Sequence, residues 1–337
     1  MPPPGYEPFL AEILARPSED VPRLVFADWL EEHGDPRGEF IRIQCQRENM
    51  TPADPGFERL SDRESTLLNE FGPQWCVELP EWARAGCEFS RGFADRVHVW
   101  HRHHFPSLND LRTLAPIQSL AIHDIAGAMD QFLATNVLDW LPALVLLDSR
   151  AGIDEWKQLL RLNDDDADGV PDGVLVRRLS AIGLQLLDAA GVVLKTKAAL
   201  PNLEHLELIR CGWTARGVEM FADTTRLPKL ENLDLSENVI GNAGVWHLSL
   251  APNRARLRRL SLRATDLSND GIKHLTEAKF AGSLQMLDVS GNRLTDDGAF
   301  HLAGAFPNLK WLCARNCYFT TRGLSQLQQR FGTNMQV

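Results

Sequence analysis

The densest group of metal-ligating side chains in the sequence is an acidic run at residues 162–173. Its alternating carboxylates and its turn glycine are Asp164, Asp166, Asp168, Gly169 and Asp172. Carboxylates at every second position can converge on one hard cation such as Ca²⁺, and the glycine permits the tight turn of such a loop. The pattern is compatible with a calcium site, but we favour an acidic loop that is simply solvated, because a short acidic run is usually exposed.

The same run resembles the aspartate-rich calcium repeats of the thrombospondin type-3 kind and the first half of an EF-hand loop. The resemblance implies that Asp164, Asp166, Asp168 and Asp172 hold the ion. The run departs from an EF-hand at the twelfth position, where Leu175 replaces the bidentate glutamate, and the sequence has no second copy. Calcium-modulated binding is therefore a minor alternative.

A second group of possible metal ligands is the histidine cluster at 98–104. Neutral imidazoles can hold zinc or nickel, but on a strand His101 and His103 share one face while His104 points away. No cysteine or acid stands close by in sequence to complete a site. We therefore expect ordinary surface at the end of a strand.

Nucleophilic catalysis has little support in the sequence. It contains no Gly-x-Ser-x-Gly elbow, no His-Glu-x-x-His pair and no glycine-rich phosphate loop. Cys313 and Cys317 are four residues apart, but the repeat described below places Cys317 at an inward bend and Cys313 on an open strand face without a base. We expect a non-enzymatic protein with no cofactor.

The elements that must position these residues follow from an internal repeat. The pattern L-x-x-L-x-L begins at Leu203, Leu230, Leu257 and Leu284, at a constant spacing of 27 residues, and a last copy begins at Leu309. Two further columns recur in phase with the leucines. They are Cys211, Asn238, Thr265, Asn292 and Cys317, and then Gly217, Gly244, Gly271, Gly298 and Gly323.

The sequence pattern of each unit predicts a strand, a turn and a helix. Alternating leucines make a short strand with one buried face, and a small polar residue can turn inward to hydrogen-bond the backbone of neighbouring coils. A Thr or Ser three residues before most of the repeat glycines is a helix cap. A lone unit cannot bury its leucines, so the units must stack with their strands in one parallel sheet.

These units resemble the leucine-rich repeats of the ribonuclease-inhibitor class over residues 203–327. The resemblance implies an α/β horseshoe solenoid with a parallel sheet on the concave side and helices on the convex side. Weaker upstream copies begin at Ile117, Leu141 and Val176, which makes about eight units, and the acidic run interrupts the spacing between the last two.

The first hundred residues have a different character. Three short helices are predicted over 6–48, a linker over 49–62, a helix near 57–71 and a hairpin at 87–99. The runs FLAEIL, RLVFADWLEEHGD and RGEFIR resemble the bacterial repeat-companion domain, which implies an architecture and no chemistry. We predict this domain over 1–48, a cap over 49–110 and the solenoid over 111–337.

Charge and hydropathy limit the class of partner. Lys plus Arg is 35 and Asp plus Glu is 45, so 35 − 45 gives a net charge of −10, which disfavours nucleic acid. No uncharged apolar run approaches the roughly 18 residues of a spanning helix. The first residues lack the pattern of an export signal, and the six cysteines are too sparse for a disulfide scaffold. We expect a cytoplasmic monomer.

A partner would bind where strand side chains face outward, at the third, fifth and seventh positions of each pattern. The predicted binding residues on this concave face are His205, Glu207, Asn232, Asp234, Arg259, Arg263, Met286, Asp288, Trp311 and Arg315. Mixed charge with Trp311 and Met286 as apolar anchors favours a protein or peptide ligand. The alternatives are an adaptor whose N-terminal domain recruits a second partner, and an unoccupied, solvated face.

Overall fold

The computed structural model describes residues 4–48, 50, 54–160, 175–196, 200–225, 227–252 and 254–337. The predicted calcium run at 162–173 lies outside the described residues. The chain divides into two compact units. Unit 1 comprises Met1–Asp124 and Ala134–Val137, and unit 2 comprises Ile125–Leu133 and Leu138–Val337.

Unit 1 is a set of helices followed by a small sheet. Its helices are α1 Glu7–Ala15, α2 Val21–Glu32, α3 Arg37–Glu48, α4 Phe57–Trp75, α5 Glu81–Arg84 and α6 Leu111–Leu114, with 3₁₀ segments at Cys76–Glu78 and Arg102–Asp110. Its strands are β1 Glu88–Ser90, β2 Phe93–Val99 and β3 Ser119–Ile122. Strand β2 pairs antiparallel with β1 and parallel with β3. Helix α4 begins within the predicted linker, so that linker is shorter than 49–62.

The core of unit 1 forms because each of the first helices buries one apolar face. Ile13 of α1, Phe26 and Leu30 of α2 and Ile41 of α3 are almost fully buried, and Phe93 of β2 packs among them. Phe26 and Phe93 are in ring contact, with centroids 6.0 Å apart. The helices and the hairpin therefore share one core, which extends across the predicted boundary between the domain over 1–48 and the cap over 49–110.

Unit 2 alternates strands and helices along its length. Its helices are α7 Met129–Leu133, α8 Ile153–Leu159, α9 Ala189–Thr196, α10 Ala215–Ala222, α11 Gly241–Leu250, α12 Asn269–Thr276, α13 Asp296–Ala305 and α14 Thr321–Phe331. Its strands are β4 Ala143–Leu146, β5 Arg178–Ile182, β6 His205–Ile209, β7 Asn232–Asp234, β8 Arg259–Ser261, β9 Met286–Asp288, β10 Trp311–Cys313 and β11 Met335–Gln336. The strands lie in chain order and neighbouring strands are parallel. The predicted α/β solenoid is confirmed.

The register of the sheet follows the leucine repeat. His205 pairs with Asn232, Asn232 with Arg259, and Arg259 with Met286, so equivalent residues of successive units stand side by side. The leucine that follows each of them along its strand is at most 2% exposed. Burying these rungs is worth about 1.5–3 kcal/mol each. The outward residues are consequently aligned in columns.

Buried asparagines close the turn after two of the strands. Asn238 Oδ1 accepts hydrogen bonds from the backbone N–H groups of Cys211 and Trp213, each at 3.0 Å. Its Nδ2 donates to the carbonyls of Leu208, Leu235 and Ser236. Asn292, which lies two repeats further along the chain, makes the equivalent hydrogen bonds. The side chain therefore ties each turn to the preceding coil, as the sequence pattern predicted.

A second ladder joins the helix starts, and it corrects part of the predicted capping. Thr214 and Thr320 accept a hydrogen bond from their own helices, whereas Ser268 and Thr295 do not. In all four residues the backbone N–H donates a hydrogen bond to a side chain of the preceding coil. The pairs are Asp188 with Thr214, Asn242 with Ser268, Asn269 with Thr295, and Asp296 with Thr320.

Candidate functional site

The outward face of β6–β10 forms a shallow cavity of about 360 Å³, here called the strand-face cavity. Each of the five strands contributes its first and third residues, because alternate side chains point to the same side of a sheet. These residues are His205, Glu207, Asn232, Asp234, Arg259, Ser261, Met286, Asp288, Trp311 and Cys313. The lining also includes Gln336 of β11 and the leucines Leu206, Leu233, Leu260 and Leu287. Eight of the ten predicted binding residues line it.

The remaining two predicted residues, Arg263 and Arg315, lie beyond the ends of their strands and do not line the cavity. Arg263 forms an ion pair with Glu237, and Arg315 donates its backbone N–H to Ser290 Oγ at 3.1 Å. At the seventh position Ser236 and Ser290 are only 2% and 5% exposed, and their hydroxyls hydrogen-bond Ser261 Oγ and Cys313 Sγ of the cavity lining. At this position the chain already bends into the asparagine-closed turn.

Three carboxylates form an acidic row in the cavity. Glu207, Asp234 and Asp288 occupy equivalent positions on β6, β7 and β9, and Ser261 of β8 interrupts the row. Burial raises the pKa of Asp234, and the charges of Glu207 and Asp288 raise it further, against hydrogen bonds from Ser236. Negative charge is thus concentrated where water is partly excluded.

The cavity also contains a neutral imidazole, that of His205. Burial, together with the charges of Arg178 and Arg259, lowers the pKa of His205 to about 4, so the ring is uncharged at neutral pH. His205 Nε2 lies 3.3 Å from Asn232 Nδ2 and can accept a hydrogen bond from it. Within the described part of the chain, Asn232 Oδ1 is buried and has no hydrogen-bond partner. That oxygen can accept a donor from a ligand.

The apolar end of the cavity is formed by half-buried side chains of β9 and β10, including Met286 and Trp311. Beside them Cys313 Sγ accepts a hydrogen bond from Ser290 Oγ at 3.2 Å and donates to Gln336 Oε1 at 3.7 Å. Cys313 is half-buried, as are Cys87 and Cys317. Cys317 lies at the bend, as predicted, but its end position leaves it less buried than Cys211.

The histidine cluster begins at the end of a strand and continues beyond it. Strand β2 ends at Val99, and His103 and His104 lie in the 3₁₀ segment Arg102–Asp110 rather than on a strand. His98 Nδ1 instead hydrogen-bonds His123 Nε2 at 2.8 Å. His123 was not among the predicted site residues, although it follows the strand of the first weak repeat, where a seventh-position residue stands.

Metal and membrane sites receive no support from the described residues. Among them, no group of three or more His, Cys, Asp and Glu side chains is placed to hold a metal ion. The helices within the described ranges are too short or too polar to cross a bilayer. Neither statement extends to the acidic run at 162–173.

Comparisons with known proteins match the repeat. A family model described as leucine rich repeat matches residues 226–245 and 283–303. No curated protein sequence matches the chain. The resemblance of the first residues to the repeat-companion domain stays a prediction, because the matched residues lie in unit 2.

Solved structures match the chain at low identity, and the likeness of fold rests on the first of them. A protein of Bacteroides fragilis is 16% identical over 84% of both chains, with a TM-score of 0.52. An internalin of Listeria monocytogenes is 17% identical over 66% of this chain and 62% of its own, with a TM-score of 0.39. A chain of the yeast Rad7 and Elc1 complex is 11% identical over 96% of this chain and 91% of its own, with a TM-score of 0.39.

Proposed function

We propose, from the premise that this chain is built from leucine-rich repeats, that the strand-face cavity binds a segment of a partner protein. The observation that carries this proposal is the convergence of outward side chains from five adjacent strands on one cavity. The chain then acts without catalysis and without a cofactor, as a monomer in the cytoplasm.

The chemistry of the cavity supports a peptide-like ligand. Trp311 and Met286 offer apolar contact, and aromatic anchors dominate the binding energy of most protein interfaces. The acidic row of Glu207, Asp234 and Asp288 favours positively charged groups at one end of the ligand. The unpaired Asn232 Oδ1 is suited to a backbone or side-chain N–H group.

The proposal is tested by selecting peptides from a random displayed library on the purified chain and measuring their affinity for variants. Trp311→Ala should weaken the selected peptides by at least tenfold, since an aromatic anchor contributes about 2 kcal/mol or more. Asp234→Asn should weaken those peptides that carry Lys or Arg.

The matched control is Trp246→Ala. Trp246 is 44% exposed and lies on helix α11, outside the cavity. The Trp246→Ala substitution should leave the affinities of the selected peptides unchanged. Selected peptides that bind both Trp variants as well as the wild type would place the binding surface elsewhere, and a selection that enriches no peptide would count against a peptide ligand.

A second candidate function is an adaptor in which unit 1 recruits another protein. Helix α2 favours it, because Val21 and Val25 lie one turn apart and are 67% and 51% exposed. Deleting residues 1–48 would also uncover Phe93 of β2, so the sharper variant is Val21→Glu with Val25→Glu. In an adaptor this variant keeps cavity ligands and loses a second partner, whereas a pure binding module loses nothing.

A third candidate, calcium-modulated binding through Asp164, Asp166, Asp168 and Asp172, is decided by calorimetry. Heat that is saturable with calcium and absent in the Asp166→Asn plus Asp168→Asn variant would support it. An absence of heat at millimolar calcium would end it.

A further inference from the structure

The outward side chains of the strand-face cavity form two rows of different chemistry. The first residues of β6–β10 make the first row, which contains His205, Asn232, Arg259, Met286 and Trp311. The third residues make the second row, which contains Glu207, Asp234, Ser261, Asp288 and Cys313. The carboxylates of these strands therefore lie in the second row, whereas the cation and the large apolar side chains lie in the first. Two residues along a strand separate the rows by about 6.6 Å.

The carboxylates of the second row lack a counter-charge within the described part of the chain. The backbone N–H two residues further along donates to Oδ1 of Asp234 and to Oδ1 of Asp288, at 2.8 Å in both cases. A serine hydroxyl of β5 donates to Glu207 Oε2 at 2.6 Å. These donors are neutral, and no described Lys, Arg or His forms an ion pair with the three acids, whereas Glu237 beyond the end of β7 is paired with Arg263. The row is therefore suited to a cation that a ligand supplies.

Asp234 is the best placed of the three acids to receive that cation. Glu207 stands one strand away on one side, and Asp288 stands two strands away on the other. Asp234 is half-buried, and the negative charges of both neighbours act on it. A cation beside Asp234 is consequently attracted by three carboxylates and relieves their mutual repulsion.

The first row repels a cation and accepts an apolar group. Arg259 stands between Asn232 and Met286 in this row, and its positive charge disfavours a second Lys or Arg there. Met286 and Trp311 are paired on neighbouring strands and are both half-buried. A large apolar side chain can cover the two together. A bound peptide should therefore present a basic side chain to the second row and an apolar one to the first.

The spacing of the strands sets the distance between these two contacts. Asp234 on β7 and Trp311 on β10 are separated by three strand spacings, about 14 Å, and by the offset of about 6.6 Å between the rows. The resulting distance of roughly 16 Å is the length of about five residues of extended peptide. Side chains of an extended peptide alternate between two sides, so residues five apart point in opposite directions, as the two rows require.

We propose, as a refinement that rests on the proposed function, that the cavity recognises an extended peptide segment that crosses β7–β10. The segment carries a Lys or Arg at Asp234 and a large apolar side chain at Met286 and Trp311, about five residues apart. Asn232 lies on the same strand as Asp234 but in the first row, and its buried Oδ1 has no partner among the described residues. This oxygen accepts an N–H group from the basic end of the segment.

Sequencing the peptides that the full chain selects from a random displayed library tests the spacing. Enriched peptides should carry a Lys or Arg and a large apolar residue at a separation of about five, more often than at four or six, in one order along the peptide. In a synthetic copy of an enriched peptide, moving the basic residue by one position should weaken binding by about tenfold, because its side chain then points away from the second row and loses a charge-assisted contact.

Pairs of substitutions assign the two ends of the peptide. Asp234→Asn removes the charge and keeps an oxygen for the Ser236 N–H, so the fold is preserved. It should weaken an enriched peptide by about tenfold, and replacing the basic residue of the peptide by Ala should then cost little more, because both changes remove the same contact. Trp311→Ala should stand in the same relation to the apolar residue. The matched control is Asp270→Asn, an exposed acid of α12 outside the cavity, which should leave the affinity unchanged.

The outcomes separate this inference from the proposed function. Peptides that lose affinity in Trp311→Ala but show no preferred separation overturn the inference and leave the proposed function standing. The same holds for peptides whose basic residue matters as much in Asp234→Asn as in the wild type. A selection that enriches no peptide sensitive to Trp311→Ala overturns both.

Discussion

Asn292 shows how much one side chain contributes to this fold. Its amide makes hydrogen bonds to the backbone on both sides of a turn, and the residue is 2% exposed. In Asn292→Ala these buried N–H and C=O groups lose their partners, so we expect a loss of about 2–4 kcal/mol in the free energy of unfolding. Urea denaturation followed by circular dichroism measures it.

The control for this variant is Asn308→Ala. Asn308 is exposed and its Nδ2 donates to the Gly282 carbonyl. Its loss should cost about 0.5 kcal/mol or less. Equal effects of the two substitutions would contradict the special role of the buried asparagine.

His205 makes the stability of unit 2 depend on pH. Its pKa falls from 6.5 to about 4 in the folded chain, chiefly through burial, so the unfolded chain binds the proton more tightly. Stability should therefore fall as the pH drops from about 6.5 to about 4, and His205→Gln should remove this part of the decrease. Thermal unfolding of both proteins from pH 7 to pH 4 checks it. If the melting temperatures of the two proteins fall by the same amount from pH 7 to pH 4, His205 contributes nothing to the pH dependence.

At the scale of the element, the ladder of helix starts explains four of the five repeat glycines, which are Gly217, Gly271, Gly298 and Gly323. None of the five has a left-handed φ, so backbone conformation does not require them. A Cβ at Gly271 would lie 2.7 Å from Asn242 Oδ1, and one at Gly298 would lie 2.6 Å from Asn269 Oδ1. The glycine leaves room for the side chain that bonds the next helix start.

Gly271→Ala should therefore destabilise the chain, by about 1–3 kcal/mol, through overpacking. The matched control is Gly304→Ala in α13, where an added Cβ meets nothing within 4 Å. That change should stabilise by about 0.4–1 kcal/mol, the usual gain of Ala over Gly in a helix. Adding Asn242→Ala should restore part of the loss in Gly271→Ala. The same sign for both glycine variants would contradict this account.

The sequence predicted the elements whose spacing repeats and missed those that depend on contacts between coils. The 27-residue period gives the strands and their outward residues, because register and side-chain alternation follow directly from it. Asp188 and Asn242 were missed, since an acid or amide at a helix start looks like a solvated residue. The ring contact of Trp75 with Phe89 also depends on tertiary packing, which no local pattern records.

At the scale of the whole molecule, unit 2 is nearly one-dimensional. Strands β5 to β10 each pair with the strand before and the strand after them, and each ladder residue bonds an adjacent coil. Stability in such an array is approximately a sum of unit and neighbour contributions. Damage to one coil should therefore spread to its neighbours and fade with distance along the sheet.

Hydrogen exchange measures this spread in Asn292→Ala. Amides at 257–296, on both sides of the lost asparagine, should exchange faster than in the wild type, because local opening of these coils becomes less costly. Amides of β5 and β6, several coils away, should keep rates closer to those of the wild type. A uniform acceleration from β5 to β10 would mean that unit 2 opens only as a whole, and that neighbour contacts dominate the stability of the single coils.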